Sequence, residues 1–103
     1  MSKLTDCISE VVTNLNNIAN NTQNEQERNN CLSQSRLLFA QWEDVIRQQV
    51  DKRTSEYRRV LAALKKARQA TKDALEDISK ISKAIKQTAK GIQAIATLLG
   101  TFA

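Results

Sequence analysis

The chain contains no histidine and no proline, and only two glycines, two cysteines and four aromatic residues among its 103 positions. Each scarcity removes a class of explanation. Without histidine, the common general base for a serine or cysteine nucleophile is missing. Two cysteines, Cys7 and Cys31, cannot complete a structural zinc site that needs four Cys/His ligands. Their spacing is not Cys-x-x-Cys, so no thioredoxin-like redox motif is present. No Gly-rich loop stands ready to cradle a phosphate. Carboxylates cluster only at Asp73, Glu76 and Asp77, on an outer helical position. The sequence therefore reads as non-enzymatic, with no metal and no cofactor expected.

Asn-Gly and Asp-Gly pairs, the strongest hairpin-turn signals for strands, are also absent. No apolar run reaches the roughly 18–20 residues of a membrane span. Met1–Glu10 lacks the basic start and apolar stretch of a secretory signal. The expectation is a soluble starting state, either cytoplasmic or exported by a route that uses no cleaved signal.

What is present is helix-forming sequence. From Leu32 onward Ala, Leu, Ile, Gln, Lys, Glu and Arg dominate, and these side chains lose little freedom in a helix. The apolar residues fall on a heptad grid. In the second half one seam position holds Tyr57, Leu64, Thr71, Ile78, Ile85, Ile92 and Leu99. The other holds Val60, Ala67, Ala74, Ile81, Thr88, Ile95 and Phe102. Alternating steps of three and four place them on one stripe, long enough for a coiled-coil seam. A continuous helix over 54–99 would be roughly 70 Å long.

The first half uses the same grid at Leu4, Ile8, Val11, Leu15 and Ile18, then turns polar at Thr22, Glu25 and Asn29. It recovers at Leu32, Phe39, Ile46 and Val50. Arg36 and Glu43 hold the alternate position there, so the apolar face leans sideways to Leu38, Trp42 and Val45. Breaks are predicted at 20–23, where Thr22 and Glu25 have capping-box spacing, and at 51–55, where Thr54 or Ser55 can cap a new helix.

The predicted fold is all-α: an elongated antiparallel helical hairpin, or a three-helix coiled-coil-like bundle with a long C-terminal helix. One domain over 1–103 is expected, with helices near 3–19, 24–50 and 54–99. Cys7 and Cys31 are symmetric about Ala19, so a tight turn there would permit a disulfide; two partly buried free thiols are the preferred reading. Trp42 reads first as core, and second as an interface anchor.

Charge divides the chain. Residues 1–50 carry four Lys/Arg against six Asp/Glu, a balance of −2; residues 51–103 carry twelve against five, a balance of +7. The basic residues avoid the seam and resemble a solvated exterior. With Tyr57 the only aromatic nearby there is no stacking platform, so a specific nucleic-acid partner is not expected.

The functional expectation is a helical interaction or structural protein that self-associates, or pairs with a helical partner, through a coiled-coil seam. The interface candidates are Leu64, Ile78, Ile81, Ile85, Ile92, Ile95, Leu99, Phe102 and Trp42. The alternative is a membrane-active protein, pore-forming or translocation-associated. It would use the uncharged tail Gly91–Ala103, with Lys80, Lys83, Lys86 and Lys90 as candidate contacts to an anionic lipid surface.

Overall fold

The computed structural model describes residues 3–48 and 54–102, and in this range the chain is all helical. Four helices follow in order: α1 (Lys3–Asn21), α2 (Glu25–Gln48), α3 (Ser55–Glu76) and α4 (Ile81–Phe102), with a 3-10 turn at Ile78–Lys80 before α4.

The first turn is built by short polar side chains. Asn24 Oδ1 accepts from the Glu27 N–H at 3.0 Å, which caps α2. Thr22 Oγ1 accepts from the Asn24 N–H and donates to Glu27 Oε1. Arg28 reaches back from α2: its Nε donates to the Ala19 carbonyl at 3.2 Å and its Nη2 to the Thr22 carbonyl at 2.8 Å. It thereby satisfies carbonyls left without partners at the end of α1. The cap sits two residues beyond the Thr22–Glu25 pair expected from spacing. Farther along, Thr54 caps α3, its Oγ1 accepting from the Tyr57 N–H at 3.1 Å.

The predicted helix over 54–99 is not continuous. Asp77 takes φ −141° and ψ 105°, and the chain turns back on itself there. No glycine or proline is involved. The Asp77 carboxylate accepts from the Ser79 N–H at 3.1 Å and the Ser79 hydroxyl at 2.8 Å, and the Asp77 carbonyl accepts from the Lys80 N–H. A short acidic side chain thus offers the backbone an alternative to helical hydrogen bonds. The reversal folds the seam onto itself: α3 packs along α4, and α1 along α2.

These two hairpins stack, α1 on α3 and α2 on α4. Both stacked pairs are parallel. Along α1 and α3, the Leu4 N–H donates to the Tyr57 hydroxyl and Asn14 Nδ2 to Thr71 Oγ1. Along α2 and α4, Gln34 and Gln41 reach the carbonyls of Ile85 and Ile92. The extents are 40 × 21 × 19 Å, well short of the roughly 70 Å that a continuous helix over 54–99 would need.

The core runs through the centre. In α3 the buried positions are Tyr57, Val60, Leu64, Ala67, Ala70, Thr71 and Ala74. Among the described side chains of α4 they are Ile81, Ala84, Thr88, Gly91, Ile95 and Leu98. One of the two seam positions therefore slips by one residue after the turn: Ala84, Gly91 and Leu98 are covered, while Ile85, Ile92 and Leu99 are only partly covered; Ile81, Thr88 and Ile95 stay buried as their spacing predicts. The approach of α3 to α4 is close at Gly91, where a small residue is favoured. A Cβ on Gly91 would lie 3.1 Å from Leu64 Cδ2. α1 contributes Leu4, Ile8, Val11, Leu15 and Ile18, all buried as their spacing predicts.

Candidate functional site: an aromatic stripe on α2 and a basic hairpin

On α2 the covered residues are Cys31, Gln34, Ser35, Leu38 and Val45. The inward face is thus the leaning one, and two grid residues fall outside it. Phe39 is 53% exposed and Ile46 is 50% exposed. Phe39 stacks on half-buried Trp42, with ring centroids 5.7 Å apart and planes 17° from parallel. Trp42, Phe39 and Ile46 lie within two turns of one helix face. Beside the ring pair an open cleft of ≈ 190 Å³ is lined by Ile8, Ser9, Val12 and Thr13 of α1 together with Phe39 and Trp42. The small Ser9 and Thr13 leave room above α1, and the aromatic rings form the other wall. The heptad grid places Phe39 and Ile46 in the seam. The signal against it was present: Arg36 and Glu43 share that stripe, and burying two charges would be far costlier than exposing two apolar side chains.

The nine candidate interface residues separate. Leu64, Ile81 and Ile95 lie in the chain's own core. Ile85, Ile92 and Leu99 pack against it and keep part of their surface, as does Trp42. Ile78 stands 59% exposed at the α3–α4 turn. The side chain of Phe102 lies outside the described residues. Lys80, Lys83, Lys86 and Lys90 are all exposed.

Two glutamines hydrogen-bond across the α2–α4 contact. Gln34 Nε2 donates to the Ile85 carbonyl at 2.9 Å, and Gln41 Nε2 to the Ile92 carbonyl at 3.0 Å, one heptad on. Among the described residues no donor reaches the buried Oε1 atoms of Gln34, Gln41 and Gln48, and Thr88 Oγ1 has no hydrogen-bond partner. The α1–α3 contact has its own polar pair, since Thr71 Oγ1 also donates to the Ala67 carbonyl and so stays satisfied in the core.

Both cysteines are buried free thiols. The turn at 22–24 sets Cys31 level with about residue 15 and Cys7 with about residue 39, roughly 12 Å apart along the axis. A turn at Ala19, which would have aligned them, is not formed. Burial pushes the Cys31 thiol up to about 11, with Glu27 adding to the effect. Burial also raises Cys7, opposed by the nearby Arg68, whose Nη1 lies 3.6 Å from the sulfur. Asp77 is held below the usual carboxylate value by its two hydrogen bonds from Ser79. No cluster of metal-ligating side chains occurs among the described residues.

Because each half of the sequence forms one hairpin, the charge division becomes spatial. The acidic balance lies on α1–α2 and the basic balance on α3–α4. A groove of ≈ 330 Å³ between α3 and α4 is lined by Lys66, Lys83, Gln69, Gln87, Ala70 and Asp73. No helix among the described residues is long and apolar enough to cross a membrane. No protein family, no curated protein and no solved structure matches the chain.

Proposed function

We propose that the protein is a non-enzymatic helical interaction module that presents α2 to a helix of another chain, either a helical partner protein or a second copy. The observation that carries this reading is the stacked Phe39–Trp42 pair, with Phe39 half exposed and Ile46 one turn farther along. Aromatic residues of this kind anchor interfaces, because a large ring desolvates much area at little entropic cost. The cleft beside them is open enough to accept one side chain of a docked helix. Of the seam residues expected to form the interface, Leu64, Ile81 and Ile95 support the module from inside. Trp42 is the one that borders the docking face.

The test is sedimentation velocity on wild type and on Phe39→Ser/Ile46→Asp, alone and after passage over immobilised candidate helical partners. The double variant should keep its helical circular dichroism and lose the association. Association unchanged by both substitutions would refute the α2 face.

The runner-up is docking on an anionic lipid surface, favoured by the four exposed lysines along the turn and α4, Lys80, Lys83, Lys86 and Lys90. The apolar residues it would need are mostly committed elsewhere, with Ile95 and Leu98 fully covered. Co-sedimentation with phosphatidylserine vesicles that falls on replacing these lysines by glutamine would favour it.

A further inference from the structure

The α3–α4 turn interrupts a seam that the sequence does not interrupt. Heptad spacing passes through Ala74, Ile78 and Ile81 without a gap, and no glycine or proline marks a stop. Ala74 and Ile81 are covered on either side of the turn. Ile78, the seam residue between them, is the most exposed large apolar side chain of the described residues, and neighbouring Leu75 is 36% exposed. Both line a depression of ≈ 300 Å³ at this end of the bundle, whose inner wall includes Ile18 and Thr22 of the α1–α2 hairpin. The reversal itself depends on one extended residue, Asp77, and its hydrogen bonds to Ser79.

We propose that this turn is a hinge through which two copies of the chain exchange α4. Straightened at Asp77, residues 55–102 form one helix of roughly 72 Å. Its second half then occupies, in the other copy, the place that α4 holds in the monomer. All α4 contacts with α3 and α2 are kept, made now between chains. The new contact is at the crossover, where the two straightened helices run antiparallel past each other and the Ile78 side chains come together with Leu75. That burial is available only to a second copy, because only an identical chain supplies both the matching α4 and the facing Ile78. The loss is the Asp77 cap of the turn. Short hinges between elements that pack well are where such exchange occurs.

This inference takes the second copy as the partner within the interaction reading above, yet it uses a surface remote from Phe39 and Ile46, so the two stand or fall separately. Two substitutions push the hinge in opposite directions. Asp77→Ala removes the cap and leaves a good helix former, which favours the straight helix. Ile78→Pro locks the turn: it sits at the first position after the cap, where a helix tolerates proline. Asp77 already has the extended conformation that a residue before proline requires.

Each protein is unfolded in guanidinium and refolded over a range of concentrations, then measured by light scattering on a sizing column and by small-angle X-ray scattering. Wild type should give a dimer fraction that rises with refolding concentration, with a longest dimension near twice the 40 Å of the monomer. Asp77→Ala should raise that fraction several-fold, and Ile78→Pro should abolish it while retaining helical circular dichroism. Should Ile78→Pro fail to fold, Ile78→Ser serves instead and should lower the fraction. Asp77→Ala remaining a 40 Å monomer at every concentration, or Ile78→Pro or Ile78→Ser dimerising as well as wild type, would overturn the proposal. A dimer held by the α2 face would differ by surviving Ile78→Pro and dissociating on Ile46→Asp.

Discussion

Leu64 packs over Gly91 where α3 meets α4, and substituting both measures how closely the two helices approach there. Leu64 is 0% exposed, and a Cβ at position 91 would lie 3.1 Å from its Cδ2 and 3.8 Å from its Cδ1. Leu64→Ala alone should cost about 2–5 kcal/mol through lost burial and a residual cavity. Gly91→Ala alone has two opposing terms. Helix propensity gains about 0.8–1 kcal/mol, while crowding a packed core costs about 1–3 kcal/mol. The net is near neutral to unfavourable. In the Leu64→Ala background the crowding vanishes and the new methyl group fills part of the cavity. There Gly91→Ala should stabilise by about 1 kcal/mol or more, the full propensity gain. The predicted coupling is therefore at least about 1 kcal/mol, as expected for residues in direct contact. Urea denaturation of the four proteins, followed by circular dichroism at the helical minimum, closes the cycle. If Gly91→Ala has the same effect in both backgrounds to within about 0.3–0.5 kcal/mol, the sites are independent. The close approach of α3 to α4 at Gly91 would then be refuted.

The lowered pKa of Asp77 makes the α3–α4 turn sensitive to acid. Because the folded value lies below the ordinary 3.8, its contribution is present at neutral pH and is lost as pH falls through the folded value. The stability difference between wild type and Asp77→Asn should accordingly shrink between about pH 5 and pH 2, and urea midpoints that differ by a constant amount across that range would contradict this. The thiols give a second check on the fold. With both buried and the Cys31 thiol pushed up to about 11, neither should react appreciably with a thiol reagent at pH 8 until the protein is denatured. Mass spectrometry after mild oxidation should still count two free thiols, since roughly 12 Å of axial offset exceeds the reach of a disulfide; a Cys7–Cys31 bridge in folded protein would show that the first turn lies nearer Ala19 than 22–24.

Local structure is legible in the sequence. The all-helical class follows from composition, and α1 buries the residues its spacing names, because an isolated stripe of Leu, Ile and Val has one face to cover. Thr54 caps α3 as expected, since a hydroxyl before a helix start meets the same unsatisfied N–H groups whatever the fold. The first turn lies within two residues of its expected position for the same reason: Asn, Thr and Glu compete with the helix backbone locally.

Tertiary structure decided the rest. Periodicity reports that a stripe exists on a helix; it does not say what covers it. A rod over 54–99 and a hairpin reversing at Asp77 have the same apolar pattern, and the turn needs only one aspartate to hold it. Folding the stripe back on itself buries it within the chain, which a lone rod cannot do, and this gain outweighs the helical bonds given up at Asp77. The packing of α4 covers Ala84, Gly91 and Leu98 rather than Ile85, Ile92 and Leu99, a difference of one residue that no single-helix pattern resolves. On α2 the choice went the other way from hydrophobicity alone. Cys31, Leu38 and Val45 turn inward and Phe39 and Ile46 outward, because the stripe that holds the larger residues also holds Arg36 and Glu43. Which face of α2 stays exposed is thus set by which charges the bundle cannot bury.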